Sequence, residues 1–232
     1  MRMDNVPRTA LAACLLVAAV GARCATPWPQ WEAPVGARVQ AVAPEVVLNG
    51  KRSRILRIDS RDSTESILAF YRTRLGDKRV ENRVHGAQVL GAREGGFFHT
   101  VQVRANSAGG AETTVITTAV AEGLHRSAVV TDSERCLPGD TTVLQTMESN
   151  DGGVRAVTVT AANGHDIKTN SDHLRSALAQ RGFQIVREEP AAQPGRAGHS
   201  IWLKGQGEEA VVTVVDTGAQ RALTVHRTKE PK

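Results

Sequence analysis

The sequence predicts an α+β protein of two tandem repeats, each an antiparallel sheet with one helix packed on one face. Residues 99–104 (His-Thr-Val-Gln-Val-Arg) and 199–204 (His-Ser-Ile-Trp-Leu-Lys) share one pattern of residue types, one hundred positions apart. Each is followed by a second β-rich run, at 113–118 and 210–215. Such self-similarity at a fixed spacing indicates a duplicated supersecondary unit.

The first 22 residues are predicted to be a signal peptide. Arg2 and Arg8 form a positive n-region, and Ala10–Val20 is an apolar stretch too short to span a bilayer. Small residues follow, and cleavage is expected after Ala22. We therefore expect an exported protein located in the periplasm.

Two cysteines remain in the predicted mature chain, Cys24 and Cys136. They could form a disulfide in an oxidising compartment. Cys24 could instead be lipidated, because it closely follows the apolar stretch. Arg23 and Gly21 depart from the usual lipoprotein pattern, so ordinary cleavage is preferred. An outer-membrane lipoprotein is the alternative, and a lipid on Cys24 would then be the protein's membrane contact.

Residues 23–44 are predicted to form an extended leader, because three prolines forbid a helix there. Trp28 and Trp31 stand out in a chain with 3% aromatic residues. They are candidates for anchoring on a partner or a membrane interface. The alternative is that they fold back onto the first repeat.

The first repeat is predicted over 45–121. Asn49-Gly50 between two strand-like runs indicates a tight hairpin, since both turn positions need positive φ. Asp62 and Glu65 can form a capping box for a helix that ends before Gly76. Strands are expected near 80–84, 97–104 and 112–120.

The second repeat is predicted over 141–227 and follows the same plan. Its hairpin turn is at 150–153 and its helix is expected from Ser171 to Arg181. Residues 122–140 would join the repeats, and 228–232 would be a tail. Strands are expected near 183–187, 199–204, 209–216 and 221–225.

This order of elements carries a resemblance. A short hairpin, an acidic or serine cap, a helix with Phe70-Tyr71, a glycine and then antiparallel strands is similar to tandem small α+β repeat domains of exported Gram-negative envelope proteins. Some proteins of this kind accompany secretion or pilus systems. The resemblance implies an envelope protein that makes contacts with other proteins.

The net charge is +5, and most of the excess is in the first half of the chain. Arg52, Arg54, Arg72 and Arg79 belong to this basic region and are candidate interaction residues. An anionic polymer could bind there. The alternative, which we prefer, is a solvated surface in which acidic residues alternate with the basic ones. Export excludes nucleic acid as a partner.

Metal and cofactor sites are not expected. The richest local group of metal-ligating residue types is His165, Asp166, Asp172 and His173. These residues could converge on a metal, but the sequence has no His-x-x-x-His, Cys-x-x-Cys or Cys-His spacing. We expect Asp166 to cap the second helix instead.

His99 and His199 begin matching strands of the proposed repeats. They could form a ligand site or a pH-sensitive contact where the halves meet. The simpler interpretation is that a histidine starts the same strand in each copy. Nucleophile motifs such as Gly-x-Ser-x-Gly are absent from the sequence.

Three functions are compatible with these features. The first is a non-enzymatic envelope protein, an assembly or accessory component whose partner is another envelope protein. Strand addition at an exposed sheet edge is the natural mode of contact for such a fold. The alternatives are a periplasmic binding module for an anionic glycan or peptide, and a hydrolase with a site between the halves.

Overall fold

A computed structural model describes residues 27–84, 86–191 and 196–231. The chain divides into two compact units, Met1–Trp31 and Glu32–Lys232. Of the first unit, only residues 27–31 are described, and they are neither helical nor extended in a sheet. All strands and helices named below belong to the second unit.

The second unit contains twelve strands and three helices within the described residues. The helices are α1 (Thr64–Leu75), α2 (Ala128–Glu134) and α3 (Ile167–Ala179). The strands of the N-terminal half are β1 (Arg38–Leu48), β2 (Lys51–Ser60), β3 (Val80–Val84), β4 (Ala87–Glu94), β5 (Phe97–Ala105) and β6 (Ala111–Ala119). Those of the C-terminal half are β7 (Thr142–Asp151), β8 (Val154–Asn163), β9 (Gln184–Pro190), β10 (Gly198–Gly205), β11 (Glu208–Asp216) and β12 (Arg221–Lys229).

All twelve strands form one antiparallel sheet, in the order β3-β4-β5-β6-β2-β1-β7-β8-β12-β11-β10-β9. The prediction of two tandem repeats with a sheet each is therefore wrong. The reason is the antiparallel pairing of β1 with β7, which makes the strands on both sides of it one continuous sheet. The presence of helices beside an antiparallel sheet agrees loosely with the α+β class.

Turn and capping residues explain where several of these elements begin and end. Asn49 and Gly50 have φ of 49° and 76° and form the predicted turn between β1 and β2. The N-cap of α1 is Ser63, whose hydroxyl accepts from the Ser66 N–H, and not Asp62 as predicted. Asp62 instead accepts a hydrogen bond from the Ser60 hydroxyl.

The second predicted helix is α3, which begins one turn earlier than expected. Asp166 is its N-cap and accepts from the Thr169 N–H at 2.7 Å, which confirms the capping role predicted for it. The short helix α2 lies within the predicted joint, and β1 begins at Arg38, inside the predicted leader. None of the helices in the described ranges is both long and apolar enough to cross a membrane.

All three helices pack on one face of the sheet. Side chains directly opposite each other in an antiparallel sheet point to the same face, so the strand register identifies it. The face under α1 includes Val101 and Val115, and the face under α3 includes Leu203 and Ala210. Val157 under α2 belongs to the same face.

The opposite face, here called the open face, is not covered by any described helix. Many of its residues are partly exposed, although Ser200 is buried, and hydroxyl side chains are frequent. One row runs Thr160-Thr224-Thr213-Ser200 across β8, β12, β11 and β10. A neighbouring row contains His226, Val211 and Trp202.

Candidate functional site

The two similar segments that begin at His99 and His199 do not lie on equivalent strands of the sheet. His99 lies in β5, the third strand from the β3 end of the sheet, whereas His199 lies in β10, the second strand from the β9 end. The strands predicted from the sequence do not include β4. A Cβ at Gly91 would lie 3.0 Å from Phe98 Cζ, so a larger residue there would require the Phe98 ring to shift.

His99 is fully buried on the helix-covered face. Its Nδ1 is 3.2 Å from Thr117 Oγ1, and its Nε2 is 3.5 Å from Glu94 Oε2. Burial lowers the pKa of His99, although Glu94 acts in the opposite direction. The ring also stacks against Phe97, with 6.5 Å between centroids. His99 therefore fills the core of its half of the sheet.

His199 joins α3 to the β9 end of the sheet. Its Nδ1 is 3.1 Å from Ser171 Oγ, and its Nε2 is 3.6 Å from Glu188 Oε2. This hydroxyl–imidazole–carboxylate line has the order used in nucleophilic catalysis. Ser171 is only 3% exposed, however, so a substrate carbonyl cannot reach its hydroxyl. Glu188 is also held by two hydrogen bonds from Arg175.

The basic residues singled out from the sequence are largely engaged with carboxylates. Arg72 donates to Glu81 from Nε and Nη2, and Arg79 donates to the same carboxylate at 2.8 Å. The hydrogen bonds from Arg72 and then Arg79 hold the pKa of Glu81 below its usual range. Arg52 pairs with Glu122 at 3.3 Å. An anionic polymer would have to displace these carboxylates.

The remaining predicted residues lie at separate places. Trp28 and Trp31, in the first compact unit, are half-buried. Arg54 is exposed on β2. Cys136 is a buried free thiol, so the structure does not contain the disulfide considered for it. Cys24 lies outside the described residues, and its lipidation stays a prediction.

The residues considered for metal binding have other roles. Asp172 accepts from Lys168 at 2.6 Å and from Arg175 at 2.7 Å. The His165 imidazole is 3.1 Å from the Gly139 carbonyl oxygen. Across the described ranges, no group of three or more His, Cys, Asp or Glu residues is arranged to hold a metal ion.

The most unusual feature of the sheet is its central seam. β1 and β7 pair over only three residue pairs, Val46–Leu48 with Met147–Ser149. Asn49 extends the contact, because its N–H donates to the Thr146 carbonyl and its side-chain oxygen accepts from the Thr146 N–H, both at 2.8 Å. Both strands continue beyond this contact, in opposite directions.

Two stretches of strand edge are therefore exposed at the seam. The first, here the β1 edge, is Arg38–Ala43, and the second, here the β7 edge, is Thr142–Gln145. Each is paired on one side only within the described residues, the β1 edge with β2 and the β7 edge with β8. Their backbone groups on the other side can accept or donate hydrogen bonds to an added strand.

The seam edges differ in charge from the outer edges of the sheet. The outer strand β3 is five residues long and contains Glu81 and Arg83. The outer strand β9 has three consecutive charged residues at 187–189, then Pro190. Charged residues and proline discourage strand addition. In contrast, the β7 edge contains neither, and the β1 edge contains one charged residue, Arg38, at its start.

The β7 edge also forms one wall of a groove of about 370 Å³. The groove lies between β7, the end of β1, the connecting segment 124–126 and α2. Its apolar lining is unusually exposed: Leu124 is 75% exposed and Leu144 is 58% exposed. Its lining residues are Val47, Asn49, Gly50, Leu124, His125, Arg126, Val130, Glu134, Val143, Leu144, Thr146 and Glu148.

The connecting segment is fixed in place by the β1–β2 turn. The His125 N–H donates to the Gly50 carbonyl at 2.7 Å, and Lys51 Nζ donates to the Glu122 carbonyl. Gly50 permits this approach, since a Cβ there would come within 3.2 Å of Leu124 Cδ2 and of the His125 carbonyl oxygen. The connecting segment that borders the groove is therefore held against the β1–β2 turn.

The helix α2, which borders the groove, is held to the rest of the fold by ion pairs of Asp132. Asp132 accepts from Arg227 at 2.7 Å and from Arg181 at 2.9 Å. Burial acts to raise the pKa of Asp132, but hydrogen bonds from the two arginines outweigh it and the pKa is lowered. Cys136 follows α2, and its Sγ lies 3.3 Å from the Asp132 carbonyl oxygen. Burial raises the pKa of this thiol, so it stays protonated and unreactive.

Sequence reasoning missed the groove. The signal available was the run of residues 142–146, which is strand-like and has no charge, close after the exposed Leu124. Nothing local in the sequence indicates that β1 ends beside this run, because that contact joins residues about one hundred positions apart.

Comparisons with known proteins give little further information. No family model matches this chain, and no curated protein matches it. Among solved structures, the apo form of immunity protein TplEi of the T6SS from Pseudomonas aeruginosa is similar with a TM-score of 0.27 and 11% identity, over 86% of this chain and 84% of that chain. TplEi complexed with "L" peptide has a TM-score of 0.25 and 10% identity, with the same coverage. Likeness at these TM-scores supports no inference for this chain.

Proposed function

We propose that this protein is a non-enzymatic envelope protein that binds an extended segment of a protein partner at the β7 edge. The observation that supports this most strongly is the uncharged, one-sided strand at Thr142–Gln145 beside a groove with exposed leucines. Backbone hydrogen bonds would give affinity, and side-chain pockets would give specificity, as in other cases of strand addition.

The position of β1 supports one placement of the added strand. β1 pairs with β7 up to Thr146 and then leaves at the Asn49-Gly50 turn. A partner segment on the same line would continue the ladder along Thr142–Gln145. The three-pair contact of β1 provides the model for this pairing, because it uses the same edge of the same strand.

The side chains around the groove indicate which segment would fit. Val143, Leu144 and Leu124 are all more than a third exposed and border the path. The nearest carboxylates are already paired, Glu134 with Arg126 and Glu148 with Arg155. A partner segment with alternating apolar side chains and no charge would therefore be preferred.

The cellular setting of the proposal comes from the sequence. The predicted signal peptide and the resemblance to exported envelope proteins favour a periplasmic accessory component, with secretion or pilus machinery as the source of the partner. The pairing of Arg52, Arg72 and Arg79 with carboxylates does not favour the alternative of an anionic glycan.

The proposal can be tested by site-specific photo-cross-linking. A photoreactive amino acid at Leu144 should capture an envelope protein, and the same amino acid at Val186 on β9 should not. Val186 is a matched control because it is 69% exposed on an outer strand, compared with 58% for Leu144. Amide hydrogen exchange of residues 142–146 should slow when the captured partner is added.

A second pair of variants separates apolar contact from general surface effects. Leu144→Lys should abolish capture, because a charge would enter the groove, while Val186→Lys should leave it intact. Equal cross-linking from positions 144 and 186, or exchange protection confined to other strands, would refute binding at the β7 edge.

A further inference from the structure

We propose that a cavity beside the start of β1 binds the phosphate or carboxylate group of a small molecule between Arg38 and Arg61. The cavity has a volume of about 630 Å³, which is a usual size for a small-molecule site. This inference is independent of the proposed function, because the cavity and the groove beside the β7 edge share no lining residue.

Three segments of the N-terminal half meet around this cavity. They are the approach to β1, the end of β2 with the residues that follow it, and the turn between β5 and β6. Arg38 belongs to the first segment, Arg61 to the second and Gly110 to the third. The two arginines therefore reach the cavity from different parts of the chain.

The walls of the cavity are connected by hydrogen bonds within and between these segments. Asn106 Oδ1 accepts from the Ala108 and Gly110 N–H groups, at 3.0 and 2.9 Å. The turn lies close against β2, since a Cβ on Gly110 would collide with the Ser60 carbonyl oxygen. The Ser60 hydroxyl donates to Asp62 Oδ2 and accepts from the Asp62 N–H, both at 3.1 Å. These contacts hold the turn and the end of β2 together around the cavity.

Arg38 is left without an ion pair by the arrangement of its neighbours. It lies directly opposite Asp59 in the β1–β2 register, so the two side chains are on the same face of the sheet. Arg57 binds that carboxylate instead, with its Nε 3.2 Å from Asp59 Oδ2. Arg57 also binds Glu112, whose Oε2 is 2.6 Å from its Nη2. Among the described residues, no carboxylate oxygen lies within 4.0 Å of the Arg38 guanidinium.

The charges around the cavity favour an anion. In the ranges that the structure describes, Arg61 likewise has no carboxylate oxygen within 4.0 Å. The cavity and the ion pairs connected to it contain four arginines and three carboxylates, which leaves a charge of +1: Arg38, Arg57, Arg61 and Arg104 against Asp59, Asp62 and Glu112. A guanidinium can donate two parallel hydrogen bonds to a phosphate or carboxylate. Arg38 and Arg61 are therefore the groups that a bound anion would contact.

NMR titration of the purified chain tests this site with inorganic phosphate and, separately, with succinate, each at constant ionic strength. We expect saturable shifts of the Arg38, Arg61 and Gly110 amide signals with at least one of these anions. Saturation by phosphate alone would support a phosphate-bearing ligand, and saturation by succinate alone would support a carboxylate-bearing one. Saturation by both would support the anion chemistry that the two share.

Variants distinguish this site from general attraction of anions to a basic protein. Arg61→Gln should weaken binding at least about tenfold, because a charge-assisted hydrogen bond is lost. Arg38→Gln should have a similar effect. Arg93→Gln is the matched control, since Arg93 is also exposed and forms no ion pair within the described ranges, but lies on β4 outside the cavity. The control should bind the anion like the unmodified chain.

A third variant should act in the opposite direction. Asp62→Asn removes a negative charge from the cavity lining, so it should tighten anion binding. The inference is overturned if neither anion produces saturable shifts at the cavity, or if Arg61→Gln and Arg38→Gln keep the thermal unfolding of the unmodified chain and still bind as tightly as Arg93→Gln. Weaker binding in a folded Asp62→Asn variant would also overturn it, because the bound group would then have to be a cation.

Discussion

Arg227 on β12 donates from Nη1 to Asp132 Oδ2 on α2 at 2.7 Å, which connects two residues 95 positions apart. Its Nη2 also contacts Glu208 on β11 at 2.6 Å. The Arg227 side chain is only 8% exposed, so both carboxylates bind a cation that is largely removed from water. This pair therefore fixes the helix that lines the candidate groove to the last strand of the chain.

Replacing Arg227 should lower the free energy of unfolding. Arg227→Met leaves Glu208, which is 11% exposed, without its main buried partner. We expect the free energy of unfolding to fall by about 3 kcal/mol. Urea denaturation at neutral pH measures the change. Lys204→Met removes an exposed ion pair with Glu209 and should have little effect. Equal losses in both variants would contradict a special role for Arg227.

The same network predicts a loss of stability in acid. For Asp132 and Glu208, burial acts to raise the pKa, but hydrogen bonds from arginine outweigh it, and both values are lowered in the folded chain. Their contribution to stability is present above the unfolded carboxyl pKa and is lost as the pH falls through the folded values. Urea denaturation between about pH 6 and pH 3 should show this decline.

Comparison with the Arg227→Met variant assigns the decline to this network. Without the arginine, the two carboxylates should titrate nearer their ordinary range, so stability should depend less steeply on pH. Parallel curves for the two proteins would show that other carboxylates cause the effect.

His99 should remain neutral to a lower pH than an ordinary histidine. Its pKa is lowered by burial, with Glu94 opposing and Arg74 assisting the shift. NMR titration of the imidazole should therefore place its midpoint below 6.5 in the folded chain, and near 6.5 in urea. Because the unfolded chain binds this proton more readily, stability should fall as the pH drops through that range. A folded midpoint at or above 6.5 would refute the prediction.

Replacing Gly50 should destabilise the contact between the β1–β2 turn and the connecting segment 124–126. Gly50→Ala places a Cβ at a φ of 76° and against Leu124 and His125, so we expect a loss of at least about 1–2 kcal/mol. Gly152→Ala is the control, because its φ is 57° but nothing lies within 4 Å of the added Cβ. Thermal unfolding should show the larger loss for Gly50. Identical losses would mean that the close approach of the connecting segment is unimportant.

Local features of this fold could be predicted, because their causes lie within a few residues. The Asn49-Gly50 turn needs positive φ at both positions, and the Asp166 cap needs one carboxylate beside the first helical N–H groups. The error at Asp62 was a shift of one residue, since Ser63 provides an equally suitable cap. Strand β4 is harder to predict, because Gly91 interrupts its run of strand-forming residues.

The single sheet and the candidate site could not be predicted in this way. The β1–β7 contact is made by backbone groups of Val46–Leu48 and Met147–Ser149, and any strand-forming residues could supply them. The similarity of residues 99–104 to 199–204 was misleading because alternating apolar residues after a histidine suit many half-buried strands. The absence of charge at 142–146 was visible in the sequence, but only the position of β1 makes it meaningful.

The twist of the twelve-stranded sheet restricts which ligands can bind across the open face. Neighbouring strands in a sheet rotate by roughly 20° relative to each other, so the eleven steps from β3 to β9 would accumulate a rotation of roughly 220°. A rigid, flat ligand would meet only a few strands before the surface turned away from it. A molecule that touches Phe98 and Trp202 at once would need to be flexible enough to wind with the sheet.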